Sequence, residues 1–503
     1  MPPKKPADVA TAVPAKLSLH SPPKKLELSH LVDNSLDHRS SLEDYINLIS
    51  TEPTILAHEV NFWFFTRLEL VADEKGRSLP VFSDKYISGA VFDAVQSKLR
   101  TAAVWSYIRR LLALLTGSSN KLFRAIILQE LSNTCHLKYT SAQAMFKRNV
   151  ATGSGGNKWF ERMSKVRKDG TVCISMKRNP KFLMAENPQL HYMLQLRQVQ
   201  TNWSRSTEWL QKLEDLHRAH PLERNKMHER EFDSLGDLAI IVTFIQSLSS
   251  VAQLPEINRK KGQSFVSGYL ALENELRQLQ TGSDLGDFAI PINNLLEPGM
   301  AVNALAALDE YLLEKTSTKL SLLYQNLVDA WVSGIHEQYK QQEANIGRAK
   351  AEYIVPMAPK VPELRIQQRG QKEKTRPARS FTHETTPQTA TATSGEQPAL
   401  SQQTFKVRPS TFSVFPSLLS RSPVARGPVG WNAFAAAMTD LGFSVVPKVG
   451  SIYTFIPLKD VAVQRDLTLH RPHQSFIEGP RLLVYSRRLK QVYGWDDSTF
   501  VML

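Results

Sequence analysis

The sequence predicts a mainly α-helical N-terminal domain, a disordered linker and a small α+β domain at the C-terminus. Apolar residues recur at helical spacing over residues 39–352. Residues 353–428 are rich in Pro, Thr, Gln and Ser and poor in aromatic residues, so they cannot bury enough apolar surface to offset their chain entropy. Residues 429–503 contain a helix-like segment, three strand-like segments and a second helix-like segment. The length of 503 residues accommodates such a multi-domain chain.

Composition gives the class of partner but not its identity. The chain carries a net charge of +14, and its hydrophobic fraction of 42% excludes a wholly disordered protein. A net positive charge of this size favours an anionic partner such as RNA, DNA or a membrane surface. The alternative is that the excess charge lies in solvated basic tails. Cys135 and Cys173 lack metal-ligand spacing, so we expect no metal site, and low cysteine use suits a reducing compartment.

The first 38 residues are predicted to be a disordered basic tail. Lysine pairs lie beside prolines there, a composition that fits either a weak nuclear import signal or a solvated tail. The segment has no secretory hydrophobic core, and no run of about 18 apolar residues occurs in the chain. We therefore expect a soluble intracellular protein of the cytoplasm or nucleus, with no membrane contact.

Residues 39–352 are predicted to be an all-α domain of about ten helices. Ser40 followed by Glu43 has the spacing of a capping box and predicts the first helix start. One short β-like run, "GTVCISM" at 170–176, interrupts the helical pattern. We expect this domain to bind protein partners. One broad apolar stripe of helical period consists of Val95, Leu99, Ala102, Tyr107, Leu111 and Leu114.

The last 75 residues predict a helix, three strands and a helix. "WNAFAAAMTDLGF" is the first helix, with Gly442 as its stop. "SVVPK", "SIYTFIP" and "DLTLH" are the strands, and "PRLLVYSRRLKQVYG" is the last helix. This α-β-β-β-α order is the plan of a double-stranded-RNA-binding fold. Trp431 and Phe434 are expected in its core. Their expected neighbours are Leu469, Leu482 and Leu489.

The segment "LGFSVVPKVGSIYTF…LTLHRPH…IEGPRLLVYSRRLKQVYGW" resembles the HicA-type toxins, small messenger-RNA interferases. The resemblance covers about 75 residues and implies the same dsRBD-like fold. In the toxin pattern a catalytic His follows the Gly-Ser turn, whereas Gly450-Ser451 is followed here by Ile452 and Tyr453, which are poor general bases. The whole chain is also similar to fungal proteins labelled ipa-like, a resemblance that implies no particular activity.

Two histidines are the candidates for a catalytic role. His470 and His473 flank the sequence Arg471-Pro472, and an imidazole can act as acid or base near neutral pH. Cleavage of RNA needs such a group beside the attacking 2′-hydroxyl. The alternative is that the two histidines and Pro472 form a corner at the end of a strand, with hydrogen bonds to the backbone.

Five basic residues are candidates for nucleic-acid contact, because arginine and lysine bind phosphates. The alternative is a solvated helix face whose charge nearby acidic residues reduce. The candidates are Arg471, Arg481, Arg487, Arg488 and Lys490.

Three hypotheses of function follow. The first is a non-enzymatic interaction protein that binds RNA or a protein partner through its C-terminal domain. The second is a ribonuclease that uses His470 or His473. The third is an accessory structural factor without a nucleic-acid role. No hypothesis requires a cofactor, and none is expected.

Overall fold

The computed structural model describes residues 26–79, 84–153, 155–166, 172–353, 404–420, 427–458, 461 and 464–503. Most of the predicted tail and linker therefore lies outside the described residues. The chain divides into two compact units, one made of residues 1–336 and 402–503 and the other of residues 337–401. Below, residues 28–336 are the helical region and residues 404–503 are the C-terminal region, both of the first unit.

The N-terminal part is mainly helical, as the sequence predicts. Its helices are α1 (Leu28–Thr51), α2 (Pro53–Phe65), α3 (Asp84–Gly117), α4 (Lys121–Thr152), α5 (Gly156–Trp159), α6 (Pro180–Glu186), α7 (Pro188–Leu196), α8 (Trp203–Ala219), α9 (Pro221–Asn225), α10 (Glu229–Val251), α11 (Ser264–Gln280), α12 (Gly286–Ala289), α13 (Met300–Thr316) and α14 (Leu320–Tyr353). Two strands, β1 (Phe160–Val166) and β2 (Val172–Met176), and 3-10 turns at Leu68–Leu70 and Ile292–Leu296 complete it.

Helices α3 and α4 form the centre of the helical region. Helix α3 packs against α1, α2 and α4, and α4 packs against α10. The Asn120 side chain caps α4 by accepting from the backbone nitrogens of Leu122 and Phe123. Tyr107 of α3 stacks on Phe265 of α11 with ring centroids 4.1 Å apart. These two long helices provide a rigid wall for the site described below.

Two predictions for the helical region need correction. The first helix begins at Leu28, so the end of the predicted tail is helical. The reason is burial, because Leu31 and Asp37 both lie on the inner face of α1. The β-like run at 170–176 is confirmed as strand β2, but it pairs with β1, whose residues the sequence assigned to the helical pattern. An isolated strand cannot satisfy its backbone, so β2 requires this partner.

The C-terminal region mixes helices with short sheets. Its elements are β3 (Phe405–Val407), α15 (Pro409–Phe412), α16 (Val414–Leu419), β4 (Val429–Gly430), α17 (Trp431–Asp440), β5 (Phe443–Pro447), β6 (Ile452–Pro457), β7 (Leu467–His470), β8 (Phe476–Ile477), α18 (Pro480–Tyr493) and β9 (Phe500–Met502). Strands β5, β6 and β7 form an antiparallel sheet in that order. The predicted α+β character of this region is confirmed, and the short strands β4 and β8, which the sequence did not predict, pair with each other beside the three-stranded sheet. Gly442 and Gly494 have positive φ at the two helix ends, as expected for glycine stops.

Part of the predicted linker is structured. Strand β3 pairs in parallel with β9 at the end of the chain, and α15 and α16 follow β3. Phe415 of α16 is fully buried and stacks on Phe500 at 4.0 Å between ring centroids. The C-terminal region therefore includes a segment before residue 429, because a few apolar residues spaced among polar ones are enough to join an existing core.

The core of the C-terminal region contains the aromatic residues predicted for it. Trp431 and Phe434 are buried in one cluster with the three expected leucines. Phe434 packs against Phe455 of β6 and Tyr485 of α18, with centroids 5.5 and 5.7 Å apart. Helices α17 and α18 therefore cover the same face of the sheet.

Helix α10 is apolar enough, by length and composition, to cross a membrane. In this structure 56% of its most apolar window is buried inside the protein. Its residues Leu238 and Val242 belong to the core, and its acidic residues Glu229 and Asp233 pair with an arginine of the C-terminal region. These contacts are those of a core helix.

Truncation of Phe434 tests the packing of α17. Phe434→Ala should lower the free energy of unfolding by about 3–5 kcal/mol, because it removes a fully buried ring and leaves a cavity. Chemical denaturation of the full chain measures the loss, and Phe182→Ala, at an exposed phenylalanine, is the matched control. Equal, small losses in both variants would show that α17 does not face the sheet.

Candidate functional site

The C-terminal region is held on the helical region by a buried arginine. Arg488 of α18 is 1% exposed. Its Nη2 donates to Asp37 Oδ1 at 2.5 Å, and its Nη1 donates to Asp44 Oδ2 at 2.7 Å, both on α1. The sequence proposed this arginine for nucleic-acid contact. In the structure its guanidinium is turned into the protein and occupied by two carboxylates.

The backbone of the sheet completes the environment of Asp37. The nitrogen of Thr468, on β7, donates to Asp37 Oδ2 at 3.1 Å. Burial raises the pKa of Asp37, and the positive charge of Arg488 and the bonds from Thr468 oppose that rise. The carboxylate thus links α1, α18 and β7, and its partners compensate for the cost of removing it from water.

A second arginine joins α18 to α10. Arg481 donates to Glu229 Oε1 at 2.8 Å and to both oxygens of Asp233 at 2.8 and 2.9 Å. Arg487 lies 3.5 Å from Asp44. Three of the five predicted phosphate contacts therefore have carboxylate partners within the chain, whereas Lys490 is exposed on the surface of α18.

His473 takes part in the same docking, whereas the hydrogen bonds of Arg471 lie within the C-terminal region. His473 Nε2 lies 3.1 Å from the carbonyl oxygen of Arg224, and its ring packs edge-on against Phe232 of α10. The backbone nitrogen of Arg471 donates to Ser451 O at 2.6 Å. His473 therefore binds backbone at a corner, but the carbonyl belongs to the helical region.

His470 lies between a buried serine and an acidic residue. Its Nδ1 is 3.1 Å from Ser451 Oγ, and its Nε2 is 3.7 Å from Asp237 Oδ1 on α10. Ser451 is fully buried, and Gly236 approaches so closely that a Cβ there would collide with the serine hydroxyl and the imidazole. The hydroxyl is therefore shielded from any ligand, and this Ser-His-Asp series fixes the ring rather than creating a nucleophile.

A cavity of about 780 Å³ lies between the two regions. Helices α1, α2, α3, α4, α10 and α11 form one side, and residues 468–485 form the other. This volume falls within the range of about 300–1,000 Å³ that is typical of small-molecule sites. His470 and His473 both line the cavity, as does Arg481. The sequence candidates thus meet at one place, together with helices that the sequence did not implicate.

Four buried polar atoms in the cavity wall have no hydrogen-bond partner within the described part of the chain. Two accept hydrogen bonds, one donates and one can do both. They are Glu59 Oε2, Asn149 Oδ1, Trp63 Nε1 and Ser97 Oγ. Leaving such an atom unsatisfied costs about 1–3 kcal/mol. Other buried polar atoms of this kind lie outside the cavity wall, so they are not specific to the cavity.

Lys138 is the cation of the cavity without an ion pair to any described carboxylate. Burial lowers its pKa to about 8, the charges of Arg100 and Lys98 act in the same direction, and Asp237 opposes them. Lys98 is paired with Glu59 at 3.4 Å, and Arg100 with Glu273 at 2.9 Å. The positive charge that remains available to a ligand is therefore that of Lys138.

Sequence reasoning missed the helical side of this site. Lys138, Trp63 and Asn149 lie on helices whose pattern shows only a buried face, and no short motif joins them. Among the residues with described positions, no group of three or more His, Cys, Asp or Glu side chains is arranged to hold a metal ion.

Comparison of the chain with protein-family models, curated proteins and solved structures finds no match to any of them. The resemblance to HicA-type toxins and to ipa-like proteins therefore stays a prediction.

Removal of Arg488 tests the docking of the two regions. Arg488→Met should lower the free energy of unfolding by about 3–5 kcal/mol, because Asp37 and Asp44 would remain buried without their counter-ion. The double variant Asp37→Asn/Arg488→Met should recover part of this loss. Chemical denaturation measures both, with Lys490→Met as the exposed control. A loss no larger than the control's would contradict a buried ion pair.

Lys138 should make stability depend on pH. Its pKa is lowered to about 8 from 10.5, so between these values the unfolded chain binds more protons and stability rises with pH. Lys138→Met should therefore be more stable than the wild type at pH 7, and this advantage should shrink above pH 8 and vanish near pH 10.5. Unfolding curves of both proteins across this range measure the difference. An advantage that does not change with pH would show that the amine is not desolvated.

Proposed function

We propose that this is a ligand-binding protein whose binding site is the cavity between the helical and C-terminal regions. The observation that carries the proposal is the cavity itself, whose wall combines apolar side chains with polar and charged groups from both regions. A ligand with complementary apolar and polar groups would match this wall. The cavity volume supports an organic molecule of ordinary metabolite or drug size.

The C-terminal region serves the proposed site as one of its walls. Thr468–Tyr485 contributes the end of β7, the segment His470–His473, called the histidine corner below, and the first turns of α18. We retain the dsRBD-like plan for this region as part of the proposal, supported by the sheet order β5-β6-β7 and the helices α17 and α18. In this proposal the C-terminal region forms the wall of the ligand site that lies opposite the helical region.

RNA binding stays a separate hypothesis. The engagement of Arg481 and Arg488 with carboxylates weighs against a phosphate-binding face on α18. A test by substitution of Arg487 and Arg488 would also break the docking contacts with Asp44, so loss of affinity could reflect loss of structure. Arg471 and Lys490 are the informative positions for an RNA-binding assay. An intracellular location remains part of both hypotheses.

One observation favours acid–base chemistry as a second candidate function. His470 lines the cavity with Asp237 3.7 Å from its Nε2, and an imidazole beside a carboxylate can exchange a proton with a bound substrate. The ribonuclease hypothesis is the RNA-specific form of this candidate. RNA cleavage that His470→Ala abolishes while His473→Ala preserves it would support that form, and intact RNA with both wild type and variant would oppose it.

Filling the cavity tests the proposed binding site. The probe is N-phenyl-1-naphthylamine, a neutral dye that fluoresces when it enters an apolar site. Ala142 is a buried cavity residue of α4, so Ala142→Trp should weaken dye binding at least tenfold by occupying the space. Ala306→Trp, at an exposed position of α13, is the matched control and should bind like the wild type.

The proposal requires that the dye bind saturably and that filling the cavity weaken this binding. Met145→Trp adds volume at a second cavity position and guards against a folding defect in the first variant. Retained melting temperatures together with lost dye binding in both filled variants would support the site. Dye affinity that is unchanged in well-folded filled variants would contradict it.

A further inference from the structure

We propose that the cavity selects an amphiphilic organic anion, a carboxylate attached to an apolar or aromatic body, and that Lys138 binds the carboxylate. The proposal rests on the cavity being a binding site and goes on to name the class of its ligand. Three features support it: the ion pairs among the charged side chains, the apolar residues of the cavity wall and the hydrogen-bond donors in that wall.

Three of the four lysine and arginine side chains in the cavity lining form ion pairs. Lys98 and Arg100 each have a carboxylate partner, and Arg481 has two. Lys138, on α4, has no ion pair among the described residues. A partly buried ammonium group without a counter-ion is costly, and an anionic ligand would remove that cost.

Asp237 does not neutralise Lys138 within the protein. Its charge favours the protonated amine, but its carboxylate forms no ion pair with Lys138 and instead lies beside His470. Its side chain is also 60% exposed, so water weakens its field. The acidic groups Glu229 and Asp233 are held by Arg481. Glu478 also lines the cavity, but like Asp237 it is exposed to water, where its charge costs little, so Lys138 is the partly buried charge of the wall without a counter-ion among the described residues.

The rest of the wall suits an apolar body. Helices α2, α3 and α4 contribute Phe62, Val104, Ala142 and Met145, and the C-terminal region contributes aromatic and aliphatic side chains opposite them. Methionine and aromatic surfaces accommodate flat or irregular apolar groups. A ligand that is charged throughout, such as inorganic triphosphate, would leave this surface unmatched.

Neutral side chains of the wall add hydrogen-bond donors. Ser41 and Gln474 line the cavity, and a hydroxyl and a side-chain amide can both donate. A carboxylate has two oxygens and about four acceptor positions, so it can accept from an ammonium group and from neutral donors at once. The oxygens of the same two side chains can accept from a hydroxyl or amide hydrogen on the body of the ligand.

The test compares two dyes that differ in one charged group. 8-Anilinonaphthalene-1-sulfonate carries a sulfonate anion as a stand-in for the carboxylate, and N-phenyl-1-naphthylamine has the same aromatic body without it. The full-length wild type should bind the anionic dye more tightly than the neutral one. Lys138→Met should weaken the anionic dye at least tenfold and change the neutral dye less than about twofold. Lys138→Arg keeps the charge and should keep the preference.

The control is Lys490→Met, which removes an exposed lysine outside the cavity lining and should leave both affinities unchanged. If Ala142→Trp blocks both dyes but Lys138→Met leaves the anionic dye unaffected, the cavity binds ligands without selecting anions, and only the present inference is overturned. If Ala142→Trp blocks neither dye, the proposed function fails as well.

Discussion

The structure depends on one buried guanidinium. Arg488 reaches from α18 to two aspartates of α1, and its burial means that these charges must be satisfied within the protein. A slip between the helices would leave a charge buried and unpaired, which costs about 3–5 kcal/mol. The buried arginine thereby fixes the position of the C-terminal region on the helical region, and with it the distance between the two walls of the cavity.

The other contacts follow from that placement. With α18 held against α1, Arg481 reaches the acidic side of α10, and the segment from His470 to His473 packs beside Asp237 and Phe232. The histidine corner then has two roles in this account. It completes the docking of the C-terminal region, and it forms part of the surface that a ligand would contact.

Local rules predicted most of the secondary structure in the C-terminal region. Gly442 and Gly494 end helices because only glycine adopts their backbone conformation without strain, and alternating apolar residues mark β6 and β7. The structured segment Phe405–Leu419 was not predicted from the sequence. Its apolar residues are few, and they are buried only because β3 pairs with β9 and the following turns pack on the same core. The basic side of α18 was read as a surface because its partners, Asp37 and Asp44, lie more than four hundred residues earlier. No pattern in the sequence marked Lys138, because its proposed role depends on which of the charged side chains around it already form ion pairs.

The most direct test of the docking is to express the two regions as separate chains. Residues 1–353 and 404–503 would be produced together, with a tag on the first only, and purified through that tag and by size exclusion. The account predicts that the untagged fragment co-elutes in a one-to-one complex, and that Arg488→Met in this fragment abolishes co-elution. Two fragments that are each folded yet elute separately would show that the regions are independent and would contradict a cavity formed between them.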